Sequence, residues 1–234
     1  MSSLRPFWRY YGGKWRAAPR YPQPLHATIV EPFAGAAGYS LRYPDREVIL
    51  VERYHTIAEI WRWLIGASVD EVLAIPETDD VADLPEWVPQ GGRWLVGFCM
   101  NSSASTPRRT LSAGRRMLRA AARQHEGWTE AQRARVAAQV PAIRHWQVIE
   151  GDYTAAPDIA ATWFIDPPYT VGGKHYVHHR IDRTALAAWC RSRRGQAVVC
   201  ESDGADWLPF QPFGECIGLG ARRSREAIWT GGAG

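Results

Sequence analysis

The chain has 234 residues, 46% of them hydrophobic, which is enough to bury one full core with a small inserted lobe. No terminal stretch reads as a signal peptide and no run approaches bilayer length, so a membrane or secreted protein is not expected and a cytoplasmic one is. A net charge of +4 suits a polyanionic partner without requiring one, and Cys99, Cys190, Cys200 and Cys216 lack ligand spacing, so reduced buried thiols are expected.

Met1 to Pro24 shows no helical or strand period, and its Phe7, Trp8, Tyr10, Tyr11 and Trp15 read as an arm packed against the core. The apolar run Thr28 to Val30 then meets Glu31-Pro32-Phe33-Ala34-Gly35-Ala36-Ala37-Gly38, a turn whose Gly35 and Gly38 permit close approach by a ligand. Glu47 to Glu52 is a second apolar strand ending in an acid, which can take the two hydroxyls of a ribose. The full GxGxxG pattern is missing because Ala37 stands where a further glycine is wanted. Glu31 would repel a pyrophosphate and could pair with an ammonium, so a nucleoside cofactor is expected rather than a dinucleotide.

Tyr54 to Ile65 carries apolar residues on one helical face, with Gly66 as its stop. Val69 to Ile75 reads as a further helix, with a strand as the alternative, either ended by Pro76, and Glu77 to Glu86 as an acidic connection. Trp94 to Met100 is apolar and Asn101 to Pro107 a polar loop. Arg108 to Arg123 reads as a very basic helix containing Arg108, Arg109, Arg115, Arg116, Arg119 and Arg123. Trp128 to Val140 is a second helix capped by Thr129. Arginines along a helix after a polar loop suit contact with a DNA backbone, the alternative being a solvated helix face.

His145 to Glu150, Thr162 to Ile165 and Gln196 to Cys200 continue the strand pattern. Glu52, Asp152 and Asp166 fall at consecutive strand ends, which lines one crevice of a doubly wound α/β sheet. Asp166-Pro167-Pro168-Tyr169 cannot continue a strand. Its prolines hold stiff outward acceptors beside a carboxylate and a flat ring, an arrangement suited to a planar group with an exocyclic amine. Thr170 to Asp182, with Lys174, His175 and Tyr176, reads as a lid closing over a target or gripping a strand. Its three histidines lack a Cys or Glu at ligand spacing, so no metal is expected. Arg183 to Cys190 is a crossover helix, Glu201 to Gly204 a polar crevice wall, and Phe213 to Gly218 with Ala227 to Trp229 a final antiparallel pair.

EPFAGAAG at Glu31 to Gly38, DPPY at Asp166 to Tyr169, their order, and Tyr11-Gly12-Gly13-Lys14 near the start resemble the alpha-class, Dam-like DNA adenine-N6 methyltransferases. Gly151-Asp152-Tyr153 looks like that family's acid-aromatic pair at the cofactor adenine, and Arg222 to Trp229 like its arginine-plus-glutamate closing strand. The matches cover roughly the first third and the last two fifths of the chain.

The resemblance implies a mostly parallel, seven-stranded, Rossmann-like methyltransferase sheet. Its catalytic domain would be split between 1–66 and 145–234, around a mainly helical recognition region at 67–144. It implies S-adenosylmethionine held by Tyr11, Gly12, Gly13, Lys14, Glu31, Pro32, Phe33, Gly35, Gly38, Glu52, Asp152 and Tyr153, and chemistry at Asp166, Pro167, Pro168 and Tyr169. Lys14 could meet the methionine carboxylate or a DNA phosphate. Double-stranded DNA is the implied partner, held by Arg108, Arg109, Arg115, Arg116, Arg119, Lys174, His175 and Tyr176, in a bacterial or phage-like cytoplasm and with an associated restriction endonuclease as a further candidate. An aspartate heading DPPY points to adenine N6. The alternatives are cytosine N4, an RNA adenine, or a non-catalytic nucleic-acid-binding module.

Overall fold

The computed structural model describes residues 3–100, 104–111, 113, 116–117, 127–217 and 223–232. Its frame is a seven-stranded sheet in the order β3-β2-β1-β4-β5-β7-β6. The strands are β1 (Thr28–Glu31), β2 (Glu47–Glu52), β3 (Gln147–Glu150), β4 (Ala161–Ile165), β5 (Gly195–Ser202), β6 (Gln211–Ile217) and β7 (Arg223–Gly231). β1 to β5 run parallel, and β7 lies antiparallel between β5 and β6. This is the Rossmann-like methyltransferase fold, and the strand order reverses between β1 and β4, which opens a crevice beyond their carboxyl ends. Every residue of β4 is buried, as a central parallel strand covered on both faces requires.

Helices cover the two faces. α1 (His55–Gly66) buries Ile57, Ile60, Trp61 and Leu64, and it runs through Gly66 rather than stopping before it, with the Ala67 N–H closing onto the Trp63 carbonyl. α2 (Val69–Ala74) opens with a reciprocal cap between Ser68 and Glu71. The apolar run at Trp94 belongs to α3 (Gln90–Cys99), which packs on α1. α4 (Glu130–Ala137) is capped by the Thr129 side chain, which accepts the Gln132 N–H, and α5 (Arg183–Arg191) by Asp182. Val72, Leu95, Phe98 and Trp128 of the middle stretch share one hydrophobic cluster with Ile29, Leu50 and Phe164 of the sheet, while Trp163, Leu186 and Leu208 fill the other face.

The basic helix does not begin at Arg108. Ala104 bridges Tyr10 and Thr110 bridges Asp80; the Arg108 N–H donates to the Gly97 carbonyl, and Arg109 is held on Asp80 at 2.9 Å. Backbone bonds to α3 and to the acidic connection outweigh helix propensity in this stretch. Ala113, Arg116 and Met117 are helical. Arg115, Arg119, Arg123 and Arg222 lie outside the described residues. Among the described residues no helix is long and apolar enough to cross a membrane.

The amino-terminal arm enters the core. Phe7 and Trp8 are buried against Trp61, and Gln132 and Arg135 donate to the Phe7 carbonyl. Gly38 makes the docking feasible, because a Cβ there would lie 2.6 Å from the Trp15 nitrogen and 2.9 Å from that of Lys14. The space freed by this glycine is thus taken by the arm's own backbone. Gly38→Ala should therefore cost about 1–3 kcal/mol, as overpacking does. It should also expose the arm to limited proteolysis, and a parent-like melting curve with parent-like cleavage would show that the arm is not held there.

Candidate active site

A cleft of about 820 Å³, partly continuous with solvent, opens beyond the carboxyl ends of β1 to β4. The turn after β1 forms one wall. Gly35 adopts φ 46°, and Ala37, where a glycine was wanted, keeps φ 48° despite its Cβ. Left-handed backbone at a non-glycine costs about 1–2 kcal/mol, so the surrounding structure imposes it. Ala37 is held by its own backbone, its N–H on the Ala34 carbonyl at 2.7 Å and its carbonyl on the Leu41 N–H at 3.1 Å, and Gly35 is held from two sides. Glu52 at the end of β2 accepts the Gly35 N–H and the Tyr54 N–H at 2.9 Å each, and the Trp61 indole donates to the Gly35 carbonyl at 2.8 Å. Burial raises the Glu52 carboxyl while these backbone N–H groups pull it down.

Phe33 and Tyr153 face each other across the cleft at 5.6 Å and 30° between planes. Asp152 accepts the Thr154 N–H and pairs with Arg53 at 3.3 Å. Glu31, 2% exposed, accepts the Ser40 N–H at 2.7 Å; burial pushes it up to about 8 against that bond. Tyr11, Gly12, Gly13, Lys14, Pro32, Gly35 and Gly38 complete this side, so every residue expected at the cofactor lines one cleft. Tyr10, Tyr54, Arg53 and His178 also line it. For Tyr10 the available signal was its place in the aromatic arm.

The DPPY segment closes the floor. Lys14 stands 3.0 Å from Asp166, 3.7 Å from Glu226 on β7, and 4.6 Å from the centroid of the Tyr169 ring. It is 7% exposed and faces the floor of the cleft. Burial opposes its charge, and Asp166 and Glu226 outweigh that effect, holding the ammonium above the usual lysine value. Burial likewise lifts Asp166 to about 6; Lys14 pulls it down and Glu226 pushes it further up. Asp166 and Pro168 line the cleft, whereas Pro167 is buried beside them and the half-buried Tyr169 has its ring face covered by Lys14. The Tyr169 hydroxyl donates to Glu226 at 3.3 Å.

From behind, Glu201 is wholly buried and accepts the Thr170 N–H at 3.0 Å and the Trp207 indole N–H at 3.0 Å. Arg183 pairs with Glu201 at 3.6 Å and donates to the Pro168 carbonyl, which fixes the turn after β4. Glu201 was expected as a wall of the crevice and is instead a bracket for the DPPY turn.

The lid lies on the arm. Tyr176 donates to the Tyr11 carbonyl at 3.0 Å and packs edgewise on Tyr11 at 5.4 Å, and Ser105 donates to the His175 carbonyl. Tyr176 thus lines the cleft, whereas Lys174 and His175 are exposed beside it. Arg108, Arg109 and Arg116 are exposed and do not line the cleft. Among the described residues, one grouping brings ligand-type atoms together, His55, Glu59 and Glu150. Arg62 pairs with both of its carboxylates, and none of the lid histidines belongs to it.

No protein-family model and no curated protein matches the chain. Solved structures do. It is similar to "Putative methyltransferase yhhF from Escherichia coli" at 9% identity and TM-score 0.36, covering 88% of this chain and 76% of that one. It is also similar to a conserved hypothetical protein of Streptococcus pyogenes at 12% identity and TM-score 0.35, covering 87% of this chain and 85% of that one. Likenesses this distant do not bear on the chemistry of the cleft.

Glu31 gives the site a measurable pH dependence. Its folded pKa of about 8 lies above the ordinary 4.5, so the stability it contributes is complete below 4.5 and is lost as pH rises through 8. Glu31→Gln keeps the acceptor for Ser40 without the charge. Thermal melts of the ligand-free protein should show a gain on the order of 1–2 kcal/mol above pH 8 and little gain near pH 4.5. A pH-independent difference would contradict the burial of an ionisable Glu31.

Proposed function

We propose that the chain is an S-adenosylmethionine-dependent methyltransferase acting on the exocyclic amine of a nucleic-acid base, with N6 of adenine in double-stranded DNA as the target. The observation that carries this reading is the Lys14 ammonium, an N–H donor 3.0 Å from Asp166 and 4.6 Å from the Tyr169 ring centroid. The lysine nitrogen stands in for a base amine presented to a carboxylate beside an aromatic face, which is what a flipped base requires.

The cleft suits the cofactor in charge and shape. In this reading Glu52 would take ribose hydroxyls, Phe33 and Tyr153 would pack along the purine, Asp152 would accept from its amine, and the buried Glu31 would pair with a cationic end. A dinucleotide would set its pyrophosphate against the carboxylate of Asp166. S-adenosylmethionine supplies a methyl group already activated on a sulfonium, so no covalent nucleophile is asked of the chain.

An aromatic amine is a poor nucleophile because its lone pair is shared with the ring. Ionised Asp166 and the Pro167 carbonyl accept its two N–H groups, which draws the nitrogen toward tetrahedral geometry and localises that pair. The proton released from nitrogen passes to Asp166 and on to solvent. Once Lys14 leaves its ring face, Tyr169 would stack on the base for about 1–3 kcal/mol. Exposed Lys174 and His175 on the lid, and Arg108 and Arg116 in the middle stretch, support contact with phosphates; Arg109 is the weaker member because Asp80 already engages it. We assign the recognition role to 67–144 on the same ground.

The protein incubated with labelled S-adenosylmethionine and mixed-sequence duplex DNA should place label on N6-methyladenosine after digestion to nucleosides. Asp166→Ala should abolish the transfer while binding the cofactor. Label on cytosine would overturn the base, label on RNA alone would overturn the DNA substrate, and undiminished transfer by Asp166→Ala would overturn the mechanism.

A further inference from the structure

Glu226 takes no part in the chemistry described so far, yet its carboxylate is 5% exposed and faces the centre of the site. Its backbone is fixed by neighbours on both sides, opposite Ser202 of β5 and Gly214 of β6, where a bulge shifts the register. One oxygen accepts the Tyr21 hydroxyl at 2.7 Å; the other accepts the Tyr169 hydroxyl at 3.3 Å and stands 3.7 Å from Lys14. A glutamine could accept both hydroxyls, so these two bonds do not call for a buried charge. Lys14 already has one carboxylate in Asp166 at 3.0 Å. The second carboxylate is what needs a reason.

The reason lies in what a substrate amine must do to reach Asp166. An amine that takes Oδ1 of Asp166 takes the position Lys14 holds at 3.0 Å, and an ammonium moved within a desolvated floor keeps its charge only where another carboxylate is at hand. We infer that Glu226 is a positioning residue of the transfer: it steadies Tyr169 through the hydroxyl and receives Lys14 when the substrate amine occupies Asp166. This rests on the methyl-transfer reading of the cleft. In the reaction the N–C bond forms as the S–C bond breaks with its electron pair left on sulfur, and one amine proton leaves by way of Asp166. Glu226 makes and breaks no bond. Among the described residues, the charged and titratable groups around it include Lys14 and Tyr21 from the arm, Asp166 and Tyr169 from the segment after β4, and Cys200 from β5, with Glu31 of β1 acting on Asp166.

Glu226→Gln is the informative variant, since it keeps an acceptor for Tyr169 and Tyr21 and removes the charge. Lys14 then stays on Asp166, so kcat should fall at least about tenfold while the dissociation constant for S-adenosylmethionine changes by less than about threefold. The acidic limb of the pH–rate profile, set by ionisation of Asp166, should move to lower pH by about one unit, because a like charge that raised Asp166 is gone. Carboxyl-carbon NMR of Asp166 in the ligand-free protein should show its midpoint moving the same way. A residue that only stabilised the fold would lower Tm and leave limb and midpoint in place.

An active parent with kcat, limb and midpoint unmoved in Glu226→Gln overturns the inference. An inactive parent overturns the transfer reading itself, and the NMR midpoint then still reports whether the carboxylates are coupled. Should Glu226→Gln fail to fold, Tyr21→Phe, which removes the 2.7 Å bond steadying the carboxylate, serves instead. It should lower kcat at least about threefold with cofactor affinity kept, and an unchanged kcat overturns the role.

Discussion

Lys14 carries its charge into the floor of the cleft, where it is 7% exposed, and a charge so placed is tolerated because Asp166 and Glu226 stand 3.0 and 3.7 Å away. The three groups come from the arm, the end of β4 and the closing strand β7, which are far apart in sequence. The cluster therefore forms only when the arm lies on the turn after β1 and β7 lies antiparallel beside β5. Gly38, the lid contact between Tyr176 and Tyr11, and the bracket of Arg183 and Glu201 all serve that convergence.

The same cluster shapes what the cleft can hold. Asp166 and Glu226 outnumber the one ammonium placed between them, while burial lifts Asp166 to about 6 and Glu31 to about 8, where it ionises fully only beside a cation. A cationic ligand relieves that excess and a pyrophosphate would add to it. The turn after β1 also differs from a dinucleotide turn, since its left-handed backbone is maintained at Ala37 by surrounding contacts rather than by a glycine.

Much of this frame was legible in the sequence because parallel strands are short apolar runs and their ends are marked by acids and turns. Glu31, Glu52, Asp152 and Asp166 fell where such runs stop, and one cleft gathers them. The stretch around Arg108 was misread, since its composition favours a helix while backbone bonds to Gly97 and Asp79 hold it extended. Trp94 to Met100 was legible only as apolar, and its packing on α1 shows it as part of α3. The partner of Lys14 was illegible for a different reason. No local pattern says that a lysine near the start will meet an aspartate some 150 residues later, and only the docking of the arm brings them together.

The most direct test of this account is calorimetric titration of the purified chain with S-adenosylmethionine and, separately, with NAD. The charge of the cleft predicts saturable binding of one S-adenosylmethionine per chain and no heat from NAD at the same concentrations. Saturable binding of NAD with no response to S-adenosylmethionine would contradict it.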